Sequence, residues 1–217
     1  MISVPELSTT RSQGRRGPVT RWLRPGVLVG TAIVVGASSA MYVAADGRWG
    51  HYSRLLNPDA EFAVPAAWNA LLLIVAAGFS ALLSRRVTRL YVWLAVGLLV
   101  MAIDETLAVH EGIERALGVD WQVLYAPLAL GALVLALRLV TTLWRRDRRT
   151  LPGLLAVGSC WLFSQVLEAF EWRGAVQMPH YAAMMLVEEA LETSGSAVLV
   201  LTTATAWLRT SSASKVT

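Results

Sequence analysis

The chain has 217 residues and a formal net charge of +4; 55% of its residues are hydrophobic, only 16% are charged, and its mean hydropathy is +0.52. A water-soluble domain of this length cannot bury so much apolar surface, so the composition indicates an integral membrane protein. The basic residues stand in short clusters between apolar runs, a distribution that follows membrane topology and argues against a nucleic-acid-binding surface.

Six apolar segments are long enough, at about 20 residues each, to cross the hydrocarbon core as helices. In chain order they run over 26–46, 63–84, 89–111, 121–144, 152–172 and 181–208. The sequence therefore predicts an all-α fold, a polytopic membrane bundle of about six transmembrane helices. Around that domain, taken as 25–208, we expect a disordered basic tail at 1–24 and a short tail at 209–217.

The distribution of Lys and Arg predicts the side of the membrane on which each connector lies. Fourteen of these residues fall in the two tails and in the connectors around 85–89 and 145–149, and four fall in connectors on the opposite side. Because cytoplasmic connectors carry the excess of basic residues, both termini are expected in the cytoplasm of a cell-membrane protein. The alternative for the first segment is a cleaved signal peptide, with Val43-Ala44-Ala45 as the small residues before the cleavage site.

The acidic residues follow the opposite distribution, since 13 of the 15 lie in outer connectors or within the membrane. Three groups stand in the third, fifth and sixth segments: Asp104-Glu105 with His110-Glu111, Glu168 with Glu171, and Glu188-Glu189 with Glu192. At the helical rise, Asp104 and Glu168 lie about 22–24 Å from the cytoplasmic end, and Glu188 and Glu192 about 10–16 Å below the outer surface. All three groups are therefore expected at a similar level in the outer half of the bilayer.

Helical phase indicates which of these acids can meet. On the sixth segment, three acids share an arc of about 100° together with Ser196: Glu188, Glu189 and Glu192. Gly195, beside this arc, is expected to allow the close approach of a neighbouring helix. On the third segment, Asp104 is expected to face inward, joined by either Glu105 or His110.

Several ionised carboxylates in a membrane need compensation, because each costs about 2.5–3.5 kcal/mol at a helix centre. Protonation, a bound cation or a water-filled cavity would supply it, and a structural hydrogen-bonded network is the alternative to a functional site. All three histidines, His51, His110 and His180, map to the outer side, and imidazole with carboxylates suits Zn²⁺, Fe or Mn²⁺. Cys160 is the only cysteine, which excludes a site with several thiolates. The candidate metal ligands are Asp104, Glu105, His110, Glu168, Glu188 and Glu192.

The strings Asp104-Glu105-x4-His110-Glu111 and Glu188-Glu189-x2-Glu192-x2-Gly195 resemble a pattern of small multi-pass bacterial membrane proteins of uncharacterised function. The resemblance covers the third to sixth segments, roughly half the chain. It implies a shared polar site and supplies no reaction.

Our leading hypothesis is a carboxylate and histidine site open to the extracytoplasmic side, in a metal-dependent enzyme that acts on a lipid or isoprenoid-like substrate. Asp104, Glu188 and Glu192 are the candidate catalytic acids and bases. A transporter coupled to protons or divalent cations is one alternative, and a non-catalytic membrane partner subunit is another. The expected partners are the lipid bilayer, a lipid-like small molecule or a metal ion, and the oligomeric state is left open.

Overall fold

A computed structural model of the chain describes residues 18–45, 53–58, 60, 62–118, 121–173 and 176–213. The helices are α1 Pro18–Ala45, a 3₁₀ helix Ser53–Leu56, α2 Val64–Ser84, α3 Leu90–Leu107, α4 Val109–Leu117, α5 Trp121–Arg146, α6 Leu151–Glu171 and α7 Tyr181–Ala213. Between α6 and α7, the two-residue strands β1 Trp172–Arg173 and β2 Val176–Gln177 pair antiparallel. The predicted all-α fold is confirmed, apart from this hairpin.

Five of the described helices, α1, α2, α3, α5 and α6, are long and apolar enough to cross a membrane. This finding agrees with the membrane protein that the composition predicts. The sixth predicted segment forms α7, which is not among these five. The reason is its composition, because acidic residues and a run of Ser and Thr dilute the apolar residues of this helix.

The bundle is organised around α2 and α7, which pack against each other. The most extensive contacts join α2 to α3 and α6 to α7, while α1 lies against both α7 and α2. Helix α5 completes the ring between α3 and α6 but contacts both sparsely. The side chains of α5 are buried mainly in its second half. Leu128 is 60% exposed, whereas Leu139 and Leu143, further along the helix, are 4% and 0% exposed.

One end of the bundle, which we call the basic end, is held together by both apolar and polar contacts. Leu83, Tyr91, Leu143 and Ala206 belong to one buried cluster, which joins α2, α3, α5 and α7. Arg24 of α1 also donates a hydrogen bond to Thr205 of α7 over 3.0 Å. The start of α1 and the end of α7 therefore lie at the same end; we call the opposite end the acidic end.

A three-residue polar contact joins the α5–α6 loop to α7 at the basic end. The guanidinium of Arg209 donates to Asp147 Oδ2 over 3.0 Å and to Thr150 Oγ1 over 2.7 Å. The Thr150 hydroxyl in turn donates to the same carboxylate. Arg209 lies in the segment 209–217, which was expected to be a tail. In the structure it belongs to α7, which continues to Ala213.

The third predicted segment, 89–111, is wrong at its outer end. Helix α3 stops at Leu107 because Ala108 takes a left-handed conformation, with φ 48° and ψ 45°, and α4 begins at Val109. The sequence of α4 is amphipathic, which favours a helix lying at the membrane interface over a continued span. His110 therefore follows a break in the helix, and the phase relation assumed between Asp104 and residues beyond the break does not hold.

The first segment also begins earlier than predicted. Helix α1 starts at Pro18, so Pro25 lies inside it and not at its first turn. The expected tail at 1–24 thus contributes its last residues to α1, and its residues 1–17 lie outside the described part of the chain.

Candidate functional site

The best-defined polar contact at the acidic end joins α6 to α7. Ser164 is fully buried, and its Oγ donates a hydrogen bond to Glu192 Oε1 over 2.8 Å. Trp161, one turn earlier on α6, donates its indole N–H to the main-chain oxygen of Glu192 over 3.4 Å. Both the carboxylate and the backbone of Glu192 are thus tied to α6.

The Ser164–Glu192 contact sets the relative level of the other acids on the same two helices. Because α6 and α7 run in opposite directions, the residues four further towards the acidic end are Glu168 on α6 and Glu188 on α7. Both lie about 6 Å beyond the Ser164–Glu192 contact, on the same helix faces. Glu188 is 9% exposed, and Glu168 accepts a hydrogen bond from Gln165 Nε2 over 2.9 Å. We call Glu168, Glu188 and Glu192, with Ser164, the α6–α7 carboxylate site.

Gly195 explains how the two helices come so close. A Cβ atom at this position would lie 2.9 Å from both Cδ1 and Nε1 of Trp161 and 3.1 Å from Cβ of Cys160. Any larger residue would push the indole away from α7, because these distances are shorter than van der Waals contact. The expectation that Gly195 allows the close approach of a neighbouring helix is confirmed.

Asp104 belongs to a second pairing, between α3 and α5. The phenol of Tyr125 donates a hydrogen bond to Asp104 Oδ1 over 3.2 Å. Glu105, the next residue on α3, is half-buried. The described hydrogen bonds of Asp104 and Glu192 therefore belong to two different helix pairs, each with a hydroxyl donor on the neighbouring helix.

The acids of α7 also face in different directions. Glu189 lines a small cavity on the α1 side of α7, together with the hydroxyl-bearing residues Ser38, Ser39 and Thr193. Glu192 instead meets α6 through Ser164. Glu189 and Glu192, which the sequence places on one arc of α7, therefore face two different neighbouring helices, α1 and α6.

The predicted metal site is not supported by the described residues. Within the described part of the chain, no group of three or more His, Cys, Asp and Glu side chains is placed to hold one ion. The side chains of His110 and His51 lie outside the description, and His180 is an exposed residue at the turn before α7. A metal centre that includes either of the first two stays a prediction.

Two partners in these contacts, Tyr125 and Trp161, were missed in reasoning from the sequence. Tyr125 lies about 6 Å from the start of α5 and Asp104 about 4.5 Å from the end of α3, so both have the same depth. Extending the depth calculation from acids to hydroxyl and indole donors would have identified Tyr125. Trp161 could not be found in this way, because its role depends on the missing side chain at Gly195.

Comparison with known proteins places the chain in a family without assigning an activity. No curated protein and no solved structure matches it. A family model does match residues 26–207, which extend from within α1 to within α7 and include both carboxylate pairings. The expectation of an uncharacterised family is confirmed, and the chain belongs to the family described as domain of unknown function DUF8692.

Proposed function

We propose that the protein crosses a cell membrane six times, with α7 as the sixth span and both termini in the cytoplasm. The excess of Lys and Arg supports a cytoplasmic basic end, and the Arg24–Thr205 contact supports termini on the same side. Helix α1 also packs closely on α2, where Trp68 Nε1 donates to Thr31 Oγ1 over 3.2 Å. This packing favours a retained first span over a cleaved signal peptide.

Within this topology, we propose that the protein is an enzyme whose outer-half carboxylates act as acids and bases on a lipid or isoprenoid-like substrate. The observation that carries the proposal is the contact between the fully buried Ser164 and the half-buried carboxylate of Glu192. A carboxylate fixed on both its side chain and its backbone is pre-organised for proton transfer, and general acid–base catalysis requires such positioning. Glu188, one turn outward, is the second candidate group, and Asp104 is the third.

The surroundings of these groups support a substrate with an apolar chain. Large apolar side chains on α3, α5 and α6 are exposed at the same half of the bundle, namely Ile103, Leu107, Val123, Leu128, Phe163 and Phe170. Because α5 packs sparsely against α3 and α6, a lipid tail could enter between these helices from the bilayer. A polar group at the end of such a tail would then reach the carboxylates.

Proton transfer by the carboxylates alone is the form of the proposal that the described geometry supports best. The metal-dependent form needs ligands beyond those described, and His110 is the first candidate. Elemental analysis of purified protein beside the Asp104→Ala/Glu192→Ala variant tests it: bound Zn, Fe or Mn that the double variant loses would support the metal-dependent form.

The enzyme is tested by reconstituting the purified protein in lipid nanodiscs that contain phospholipids and isoprenoid phosphates, and by following their conversion with mass spectrometry. Glu192→Gln is expected to lower the rate of conversion by about 10²–10⁴-fold, the usual contribution of a general acid or base. Glu189→Gln is the matched control, because it makes the same substitution on the same helix but at the face towards α1. It is expected to leave the rate within about threefold of the native value.

The same preparation in sealed liposomes distinguishes the transporter from the enzyme. A pH-sensitive dye inside the liposome would report proton flux, and a chelating dye would report flux of divalent cations. Flux that depends on Glu192 without conversion of any lipid would reject the enzyme in favour of transport. Loss of conversion in Glu189→Gln as large as in Glu192→Gln would reject the assignment of the site to the α6–α7 pair.

A further inference from the structure

The turn between α2 and α3 forms a basic pocket at the end of the bundle opposite to the carboxylates. The pocket has a volume of about 570 Å³ and is lined by Ser84, Arg85, Arg89, Val92 and Trp93. We call it the turn pocket. It is a largely open depression of the surface and not an enclosed cavity.

The backbone that carries the turn pocket is firmly held. Leu83 and Tyr91, which flank the turn, are both fully buried in the cluster at the basic end. Arg146 of α5 also donates a hydrogen bond to the main-chain oxygen of Val87 over 2.8 Å. The two arginines of the pocket therefore extend from a fixed backbone.

The charges of the turn pocket are not balanced within the described part of the chain. Arg85 and Arg89 are exposed. Among the described residues, Asp147 is the only acidic side chain at this end, and its carboxylate is engaged by Arg209. An anion for the pocket must come from outside the described bundle.

The apolar part of the turn pocket decides which kind of anion fits. Trp93 is 64% exposed and Val92 is 44% exposed, and both lie on α3 just inside the arginines. Exposed Trp is typical of the level of lipid headgroups, and arginines beside it bind phosphates with their planar guanidinium groups. The pocket thus combines two guanidinium groups with an adjacent apolar surface. An amphiphile, which has both an anionic group and an apolar chain, fits this combination better than a free ion does.

We propose that the turn pocket binds the phosphate headgroup of an anionic membrane lipid. Arg85 and Arg89 hold the phosphate, and Trp93 and Val92 contact the beginning of the acyl chains. Basic pockets at the cytoplasmic ends of membrane helices recognise such headgroups by the same combination. The inference is independent of the reaction at the carboxylate site.

Native mass spectrometry of the full chain from detergent micelles tests the proposal, with phosphatidylglycerol and phosphatidylcholine added in turn. Native protein is expected to retain phosphatidylglycerol about tenfold more strongly, and Arg85→Gln/Arg89→Gln to lose about that factor. Arg145→Gln/Arg149→Gln is the matched control. It removes the same charge from the same end while leaving the two loop arginines that make hydrogen bonds, Arg146 and Arg148, in place.

Equal losses in the two double variants would overturn the proposal, because they would show a general effect of charge. Displacement of the lipid by millimolar inorganic phosphate would also overturn it, because the site would then take a soluble anion. A second measurement needs no arginine variant. Brominated phosphatidylglycerol should quench the fluorescence contributed by Trp93, taken as the difference from Trp93→Phe, more than brominated phosphatidylcholine does; equal quenching would reject the selectivity.

Discussion

The hydrogen bond between Ser164 and Glu192 predicts how strongly α6 and α7 are held together at the candidate site. Ser164→Ala removes the donor and leaves the half-buried carboxylate of Glu192 without this hydrogen bond. A hydrogen bond to a charged group contributes about 1.5–3 kcal/mol, and the better helix propensity of Ala offsets a few tenths of this. We expect the free energy of unfolding to fall by about 1–2.5 kcal/mol.

Thermal unfolding in detergent measures this loss. For a chain of this size, about 1 kcal/mol corresponds to a change in Tm of about 2–4 °C, so the expected decrease is about 2–10 °C. Ser80→Ala is the matched control, because Ser80 is equally buried on α2 but its Oγ has no hydrogen-bond partner among the described residues. Removing an unpaired buried hydroxyl is expected to leave Tm unchanged or to raise it.

A double-mutant cycle separates the hydrogen bond from the packing. Glu192→Met removes the acceptor while keeping a side chain of similar length. In that background the Ser164 hydroxyl has lost its acceptor, so Ser164→Ala should be neutral or stabilising. An equal decrease in Tm in both backgrounds, or an equal effect of Ser164→Ala and Ser80→Ala, would refute the contribution assigned to this contact.

Three further predictions concern the packing of the bundle. Gly195→Ala should destabilise the protein by about 1–3 kcal/mol, because the new methyl group meets Trp161. Gly158→Ala, on the open face of α6, is the control and should be neutral or stabilising. Thermal unfolding compares the two variants. Ala108→Gly should raise Tm, since the left-handed backbone at φ 48° costs Ala about 1 kcal/mol, and a decrease would show that the break between α3 and α4 is misassigned. Arg209→Gln should lower the free energy of unfolding by about 1 kcal/mol in low salt and by less at high salt, because its ion pair is partly exposed; salt-independent loss would contradict an electrostatic contribution.

Helix positions were predictable wherever apolar length and flanking charge were sufficient. The segments predicted at 63–84, 121–144 and 152–172 correspond to α2, α5 and α6 within two residues at each end. Here the basic clusters and Pro residues mark the ends of the helices. The break at Ala108 was not predictable in this way, because neither Gly nor Pro occupies the position and no basic cluster marks it.

The candidate site was predictable in depth but not in its pairing. Helical rise is a local property, and together with the Ser164–Glu192 hydrogen bond it brings Glu168 and Glu188 to a similar level across antiparallel helices. The pairing of helices is a tertiary property, and the sequence contains no measure of which helix lies beside which. The grouping of Asp104 with the acids of α6 and α7 therefore stays a prediction, and the hydrogen bond from Tyr125 of α5 is a contact of Asp104 that was not foreseen.

Helix α7 shows why hydropathy alone is a poor guide to the functional part of such a bundle. Mean hydropathy reports how well a helix tolerates contact with lipid, and α7 is covered on several sides by α1, α2 and α6. Ser196 and Thr203 are accordingly buried inside the bundle and do not face the bilayer. A helix shielded in this way can carry carboxylates that would be costly on a lipid-facing helix. The least apolar of the long helices is therefore the one on which two of the three candidate catalytic acids, Glu188 and Glu192, lie.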